Sequence, residues 1–290
     1  TSSWRTSNTA YTTANISFNT ANGAYGVANV ANTTAANVQL RRVSTVAALK
    51  NIAVQNNMSI FVEGYYSAGD GGGGLYRGDA GKATGFYTDD GGSIILPNSS
   101  LNGYNGSAAW IAVVEGQLNV KRFGAKADYA GTTTGTDNST AFQNAINYCV
   151  LNDHILFIPR GRYRVNTSLN MTFNGTGGTS TNFYRGITIK GAGRGNQTEI
   201  QGRTSGYPIF DMTGARLCNI MDIQVTCDVN DATTPSCAFL LSRNLLNGGA
   251  GEHLFTGVGT FGYFTKAALA AISSEVNTCL LYTSDAADDT

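Results

Sequence analysis

The sequence lacks most of what marks a nucleic-acid binder, a membrane protein or a metalloprotein. Charge is sparse and balanced, with 19 Lys plus Arg against 19 Asp plus Glu, so no basic field exists to hold a phosphate backbone. Nucleic acid is thereby excluded as an expected partner. No apolar run approaches the roughly 18 residues of a membrane span, and no signal-peptide core precedes the first patterned segment. Histidine occurs only twice, and the five cysteines (Cys149, Cys218, Cys227, Cys237, Cys279) are odd in number and widely spaced. They form neither a disulfide framework nor a zinc pattern, so they read as small apolar residues, and no metal or cofactor is expected. Proline is scarce at four residues, whereas glycine numbers 36 among abundant Asn, Ser and Thr. That composition suits turns between many short strands, and an all-β fold is the default.

The most informative stretch runs from Leu118 to Val165. Asp137, Asn138 and Ser139 are side chains that accept from the free N–H groups of a first helical turn, which predicts a helix start. Behind them Ala141, Phe142, Ala145, Ile146, Cys149 and Val150 wind onto one face at 3.6 residues per turn, leaving Gln143, Asn144 and Asn147 opposite. Strands are expected on both sides. Leu118, Val120 and Arg122 lead into the Phe123-Gly124-Ala125 turn and a polar Gly/Thr loop, Asp128 to Thr136. Ile155, Phe157 and Pro159 are expected on one side of the second strand, with Tyr163 and Val165 after the Arg160-Gly161-Arg162 turn.

The segments Asn119 to Asp128, Thr140 to Ile146 and Phe157 to Val165 resemble the opening of pectate-lyase-like right-handed parallel β-helices. In that family a strand, a Gly-Ala-Lys turn, a helix and a Pro-x-Gly-x-Tyr strand close the end of the solenoid. The resemblance implies a single-stranded solenoid capped by its N-terminal helix, with Asn138, Phe142 and Ile146 as capping residues. Departures are Ala127, where the family has Gly before the Asp, and the long insertion after Asp128.

Upstream, residues 1–40 read as a linker or incomplete module and 41–117 as a small, mixed, mainly β module. Ser44 or Thr45 caps a short helix, and Ile60 to Tyr66 reads as a strand. The run Gly71-Gly72-Gly73-Gly74 lacks the Lys-Ser/Thr pair of a phosphate-binding loop, and it leads into a strand-like segment rather than a helix. The succession Phe61 to Tyr66, Gly69 to Tyr76, Asp89 to Pro97 and Trp110 resembles the module before the β-helix in bacteriophage tailspikes and tail fibres.

Downstream, residues 118–278 are expected to coil. One series of strand-like segments is Gly186 to Gly191, Ile220 to Asp228 and Leu254 to Phe261; a second is Ile209 to Met212, Ala238 to Leu241 and Ala268 to Ala271. Spacings of roughly 30 to 35 residues fit one solenoid rung. Gly191 to Gly195 has the wrong spacing for a dinucleotide fingerprint and reads as a turn. Residues 279–290 resemble an in-frame translation of a transposase sequencing adapter and are set aside, which leaves the solenoid truncated.

Proteins of this resemblance cut or bind polysaccharide on the solenoid wall. Hydrolysis needs two carboxylates about 5 to 9.5 Å apart, which residues on neighbouring rungs, about 4.8 Å apart, can supply. Asp222 and Asp228 are the catalytic candidates. Read as six residues apart on one strand they would lie about 20 Å from each other, too far to act together. The aligned segments offer Thr188, Lys190 and Thr256 but no partner carboxylate. Lys190 and Gln224 are candidate substrate-binding residues, and Lys190, Arg194 and Arg203 are the basic groups a lyase could use. The resemblance implies a homotrimeric phage tailspike or tail-fibre component on the virion. Such a component recognises, and in many relatives depolymerises, host surface polysaccharide, and it joins phage tail or head proteins through its N-terminal region. Alternatives are a secreted polysaccharide lyase or polygalacturonase-like enzyme, and a non-catalytic receptor-binding fibre. Fold alone does not decide among them.

Overall fold

A computed structural model describes residues 9–10, 12–25, 41–131, 134–171, 186–195, 197–242, 251–272 and 278–281. Residues 12–25 form a helix (α1) in which the Thr13 and Thr20 hydroxyls donate to carbonyls one turn back. This part of the expected linker is therefore regular. Ile16, Phe18 and Tyr25 along it are exposed.

From Arg42 onward the chain forms one continuous unit. It starts with a five-stranded sheet in the order β1-β2-β3-β5-β4, made of β1 (Arg41–Val43), β2 (Ser59–Val62), β3 (Gly74–Asp79), β4 (Ile94–Ile95) and β5 (Ala109–Ala112). Alternation buries Ile60, Val62, Tyr76, Ile95 and Trp110 on one face, where α2 (Val46–Leu49) covers them with Val46 and Leu49. Thr45 caps α2 by accepting the Ala48 N–H. The strand expected through Tyr66 stops at Val62, because Asp70 gathers the N–H groups of Tyr65, Tyr66, Ser67 and Gly72 into a turn.

The rest is a right-handed parallel β-helix. Its first sheet contains β6 (Gln117–Asn119), β7 (Ile155–Ile158), β10 (Thr188–Gly191), β13 (Asn219–Met221), β16 (His253–Thr256) and β19 (Thr278–Leu281). The second contains β8 (Gly161–Val165), β11 (Thr198–Gly202), β14 (Gln224–Cys227) and β17 (Gly259–Gly262). The third contains β9 (Leu169–Asn170), β12 (Phe210–Asp211), β15 (Phe239–Ser242) and β18 (Leu269–Ile272). Register aligns Leu156, Ile189, Ile220 and Phe255, so successive rungs are 33, 31 and 35 residues apart. The inward columns are mainly apolar: Tyr163, Ile200 and Val225 follow one another in one, Leu169, Phe210 and Phe239 in another, with the last two rings stacked at 5.2 Å. Burying each such side chain contributes about 1.5 to 3 kcal/mol.

α3 (Ser139–Asn152) closes the end, laying Phe142, Ala145, Ile146, Cys149 and Val150 on the core. Asn138 stands at its N-cap position without capping it; its amide instead accepts the Lys126 N–H and donates to the Lys126, Thr136 and Arg164 carbonyls. Asp137 takes the cap role through the Ser139 N–H.

Three further expectations change. Val120 to Phe123 is a 3-10 turn rather than strand, because Asn119 accepts the Lys121 N–H and Gly124 ends it at φ 85°. In β7 the buried residues are Leu156 and Ile158, not Ile155 and Phe157. Four apolar residues in a row give no alternation, so the phase is set by pairing to β6 and β10. Ile220 to Asp228 is two strands of different sheets, broken at Asp222, which adopts φ 56°. Thr278–Leu281, partly within the set-aside tail, pairs with β16, whereas 282–290 lies outside the described residues.

Candidate functional site

The outer face of the second sheet carries the densest polar network. Residues two apart on a strand share a face, so Arg162, Glu199 and Gln224 form one outward column. Arg164, Gln201, Thr226 and Phe261 form the next. Arg162 donates from Nε to Glu199 Oε2 at 2.9 Å and from Nη2 to Glu199 Oε1 at 3.0 Å, a bidentate pair, and Nη2 lies 3.9 Å from Asp228 Oδ2. The Thr226 hydroxyl is 2.8 Å from Glu199 Oε1 and 2.5 Å from Gln201 Oε1, and Gln201 Nε2 donates to Asp228 Oδ1 at 2.7 Å. Two carboxylates on neighbouring strands are thus tied through one guanidinium and two neutral side chains.

The loop after Asp128 completes the network. Its start is fixed by Asp128, which accepts the Thr136 N–H and hydroxyl. Tyr129 lies over the sheet, only 4% exposed, with the Arg162 guanidinium 4.9 Å from its ring centre. Its hydroxyl donates to both Asp228 oxygens at 2.7 and 2.6 Å. Burial, reinforced by the Asp228 carboxylate, pushes the phenol well above its ordinary pKa, so it remains a donor.

This bears on chemistry. A cleaving pair needs one carboxyl that gives up a proton and another with a lone pair facing water or sugar. Here Glu199 is held by Arg162 and Thr226, and Asp228 by Tyr129 and Gln201, so both carboxylates are engaged in one network. The pair therefore works as a clamp across β8, β11 and β14.

Beside Asp228, at the last described rung of the second sheet, a cavity of about 710 Å³ is lined by inward positions such as Cys227 and Thr260 together with Phe261, Gly262, Tyr263 and Phe264. Phe261 is 73% and Tyr263 53% exposed. The other sequence candidates lie apart from it or at its margin. Asp222 occupies the corner between β13 and β14, its N–H on Thr256 and its carbonyl accepting Gly193. Lys190 stands in the first sheet between Phe157 and Met221. Gln224 is in the clamp column between Glu199 and Gly259. Phe142 and Ile146 are fully buried under α3.

Sequence reasoning missed Glu199, the partner carboxylate. The signal was the alternation of Thr198-Glu199-Ile200-Gln201, hidden because the second sheet repeats at unequal spacings, from Tyr163 to Ile200 to Val225. It also missed why four glycines adjoin β3. A Cβ on Gly72 would stand 2.5 Å from the Lys121 carbonyl oxygen, and one on Gly74 2.6 Å from Arg122 Cζ. Arg122, 7% exposed, stacks on Tyr76 at 4.6 Å and donates to the Val113 carbonyl at 3.0 Å and to the Leu75 carbonyl. The glycines let the sheet module sit against the solenoid's first turn, where Tyr66, Asn119, Lys121 and Asn144 add side-chain bonds.

A capped parallel solenoid with a polar clamp and an open aromatic groove defines a protein of the pectate-lyase-like class. The chain belongs to the rhamnogalacturonase A/epimerase, pectate lyase-like family, whose model matches residues 117–266. Residues 42–115 match a second model, the phage tail protein small four-stranded β-sheet domain. Among solved structures, the chain is similar to WceF of Pantoea stewartii, described as a glycan biofilm modifying enzyme with a bacteriophage tailspike-like parallel β-helix fold. Identity is 19% and TM-score 0.55, over 79% of this chain and 30% of that one. It is also similar to tailspike gp49 of Acinetobacter baumannii bacteriophage Fri1, a capsular polysaccharide depolymerase, at 15% identity and TM-score 0.56, over 77% and 38%. The gp42 tailspike of Acinetobacter phage vb_AbaP_AS12 aligns at 15% identity and TM-score 0.53, over 81% and 38%. The chain thus spans 30 to 38% of the length of these three proteins. No curated protein matches it. No helix among the described residues is long and apolar enough to cross a membrane.

Proposed function

We propose that this chain is part of a bacteriophage tailspike that recognises host surface polysaccharide, the 41–117 module facing the virion and the solenoid wall facing the glycan. One observation carries the reading: a phage-tail β-sheet domain is seated by the buried Arg122 on the capped end of a solenoid whose outer face bears exposed aromatic rings. A secreted enzyme has no evident need for a phage-tail domain at that position. The assembled spike is a homotrimer on the phage tail, joined to other tail or head proteins through its N-terminal region. On this reading the face has a binding role: Asp228, a third exposed, keeps acceptor sites beyond those used by Tyr129 and Gln201 and accepts sugar hydroxyls rather than moving protons. Lys190, Gln224 and Asp222 are not among the described residues that line the cavity beside Asp228.

The test is retention of the full 290-residue chain on immobilised surface polysaccharides from a panel of bacterial hosts, with released reducing ends measured in parallel. Binding to a subset of glycans without new reducing ends is the expected result. Binding to none of them refutes polysaccharide recognition, and cleavage abolished by Asp228→Asn refutes the purely binding role of this face.

A further inference from the structure

Asparagine followed by glycine is a chemically labile pair, because the glycine nitrogen has no side chain beside it to hinder attack on the asparagine amide carbon. The chain contains five such pairs, at Asn22, Asn102, Asn105, Asn174 and Asn247. The fold treats them differently. Asn174 and Asn247 lie outside the described residues, and Asn22 is inside α1, where the helix fixes the backbone dihedrals. Asn102 and Asn105 stand three residues apart in the run of turns between β4 and β5.

Asn105 is held on both sides of the bond that would have to form. Its Oδ1 accepts the Ser107 N–H at 3.2 Å, and its Nδ2 donates to Thr84 Oγ1 at 3.3 Å. The following nitrogen, that of Gly106, donates to the Gly103 carbonyl at 3.0 Å. Asn102 is exposed, and among the described residues neither its side chain nor the Gly103 N–H has a hydrogen-bond partner. The glycine after it is required by the turn: Gly103 adopts φ 96°, and a Cβ there would stand 2.5 Å from that of Ala108. The two Asp-Gly pairs, which could close the same ring, are also tied down, Asp70 by the Tyr65 and Gly72 N–H groups and Asp90 by those of Gly92 and Ser93.

We propose that Asn102 is a site of spontaneous deamidation in the 41–117 module. The Gly103 nitrogen bonds to Asn102 Cγ, the Cγ–Nδ2 bond breaks, and ammonia leaves with the Gly103 proton. Solvent water then opens the cyclic imide at either carbonyl, giving aspartate or isoaspartate. Both products add a negative charge to a chain whose formal net charge is zero, and isoaspartate also lengthens the backbone of the turn by a methylene. The change falls where the Asn105, Gly106 and Ser107 carbonyls accept from Gly85, Tyr87 and Lys82, so it bears on how the 82–87 segment is held. It is independent of what the solenoid binds.

The experiment incubates the full chain in mildly alkaline buffer, in which the glycine nitrogen loses its proton more readily, and follows the peptide covering 98–108 by tandem mass spectrometry. Wild type, Asn102→Gln and Asn105→Gln are compared, since glutamine closes the larger ring slowly; an unchanged melting temperature verifies the fold of each variant. The expected result is conversion at Asn102 at least about tenfold faster than at Asn105, whose hydrogen bonds have to break before its ring closes. Isoaspartate should be present among the products, and Asn102→Gln should abolish the fast conversion while Asn105→Gln leaves it. Equal rates at the two asparagines, or no conversion at Asn102, overturns the proposal.

Discussion

Acid should loosen the solenoid at one residue, His253. It fills an inward position beside Cys218 of the preceding rung and is 2% exposed. Its Nδ1 accepts the Cys218 N–H at 3.3 Å, while Nε2 is buried without a partner among the described residues. The neighbouring Cys218 thiol, pushed up to about 11 by burial, is neutral and offers no countercharge. Burial pulls the imidazole from 6.5 down to about 4, with the Ala215 backbone opposing part of the shift. The folded pKa is thus below the unfolded one, and the unfolded chain takes up the proton first. Stability is intact above about pH 6.5, falls through the interval down to 4, and below that has lost about 3 kcal/mol.

At pH 5 the linkage amounts to about 2 kcal/mol, or roughly 4 to 8 °C in melting temperature for a chain of this size. The assay is thermal unfolding of the wild type and His253→Gln at pH 7.5 and 5.0. The substitution costs stability at both, but Gln does not titrate, and other groups titrating in this window contribute equally to both proteins. The wild type should lose about 4 to 8 °C more than the variant between the two pH values. Equal losses would refute the reasoning and place the His253 proton in an environment as favourable as water.

Other contacts make separable predictions. Arg122→Met removes the donor to the part-buried Val113 carbonyl, whereas the Leu75 carbonyl keeps the Val113 N–H; it should cost about 1 to 3 kcal/mol and split urea unfolding into two transitions, module and solenoid. Tyr129→Phe removes the donor to both Asp228 oxygens, at about 1.5 to 3 kcal/mol. Limited proteolysis between 128 and 136 should then accelerate, whereas an unchanged cleavage rate would show that the loop is held elsewhere. Gly72→Ala drives a methyl toward the Lys121 carbonyl and should cost about 1 to 3 kcal/mol. Gly69→Ala, in open space at φ 82°, should cost only the backbone term of about 1 kcal/mol, so melting temperatures should rank in that order.

The sequence made the solenoid legible wherever the determinant was local. The face of α3 and the Thr45 cap are both written in residues a few positions apart. It failed where a residue's role is fixed by one far along the chain. Asn138 looks like a cap yet is claimed by carbonyls of Lys126 and Arg164. Leu156 and Ile158 point inward because β6 and β10 set their phase, which an unbroken apolar run cannot encode. Asp222 reads as mid-strand because nothing in Met-Asp-Ile announces a left-handed corner in a non-glycine residue. The clamp was half legible: Asp228 could be named, but Glu199 requires knowing that 199 pairs with 162 and 224.

That clamp also limits how this wall could evolve toward cleavage. Freeing Glu199 would mean removing the half-exposed Arg162 from a nearly buried carboxylate, which costs about 1.5 to 3 kcal/mol. Freeing Asp228 would mean withdrawing Tyr129, and with it the anchor that lays the 128–136 loop on the sheet. Either route dismantles the surface that forms the groove's flank before it yields an acid or a base. An acid–base pair built from residues other than Glu199 and Asp228 would leave the clamp intact.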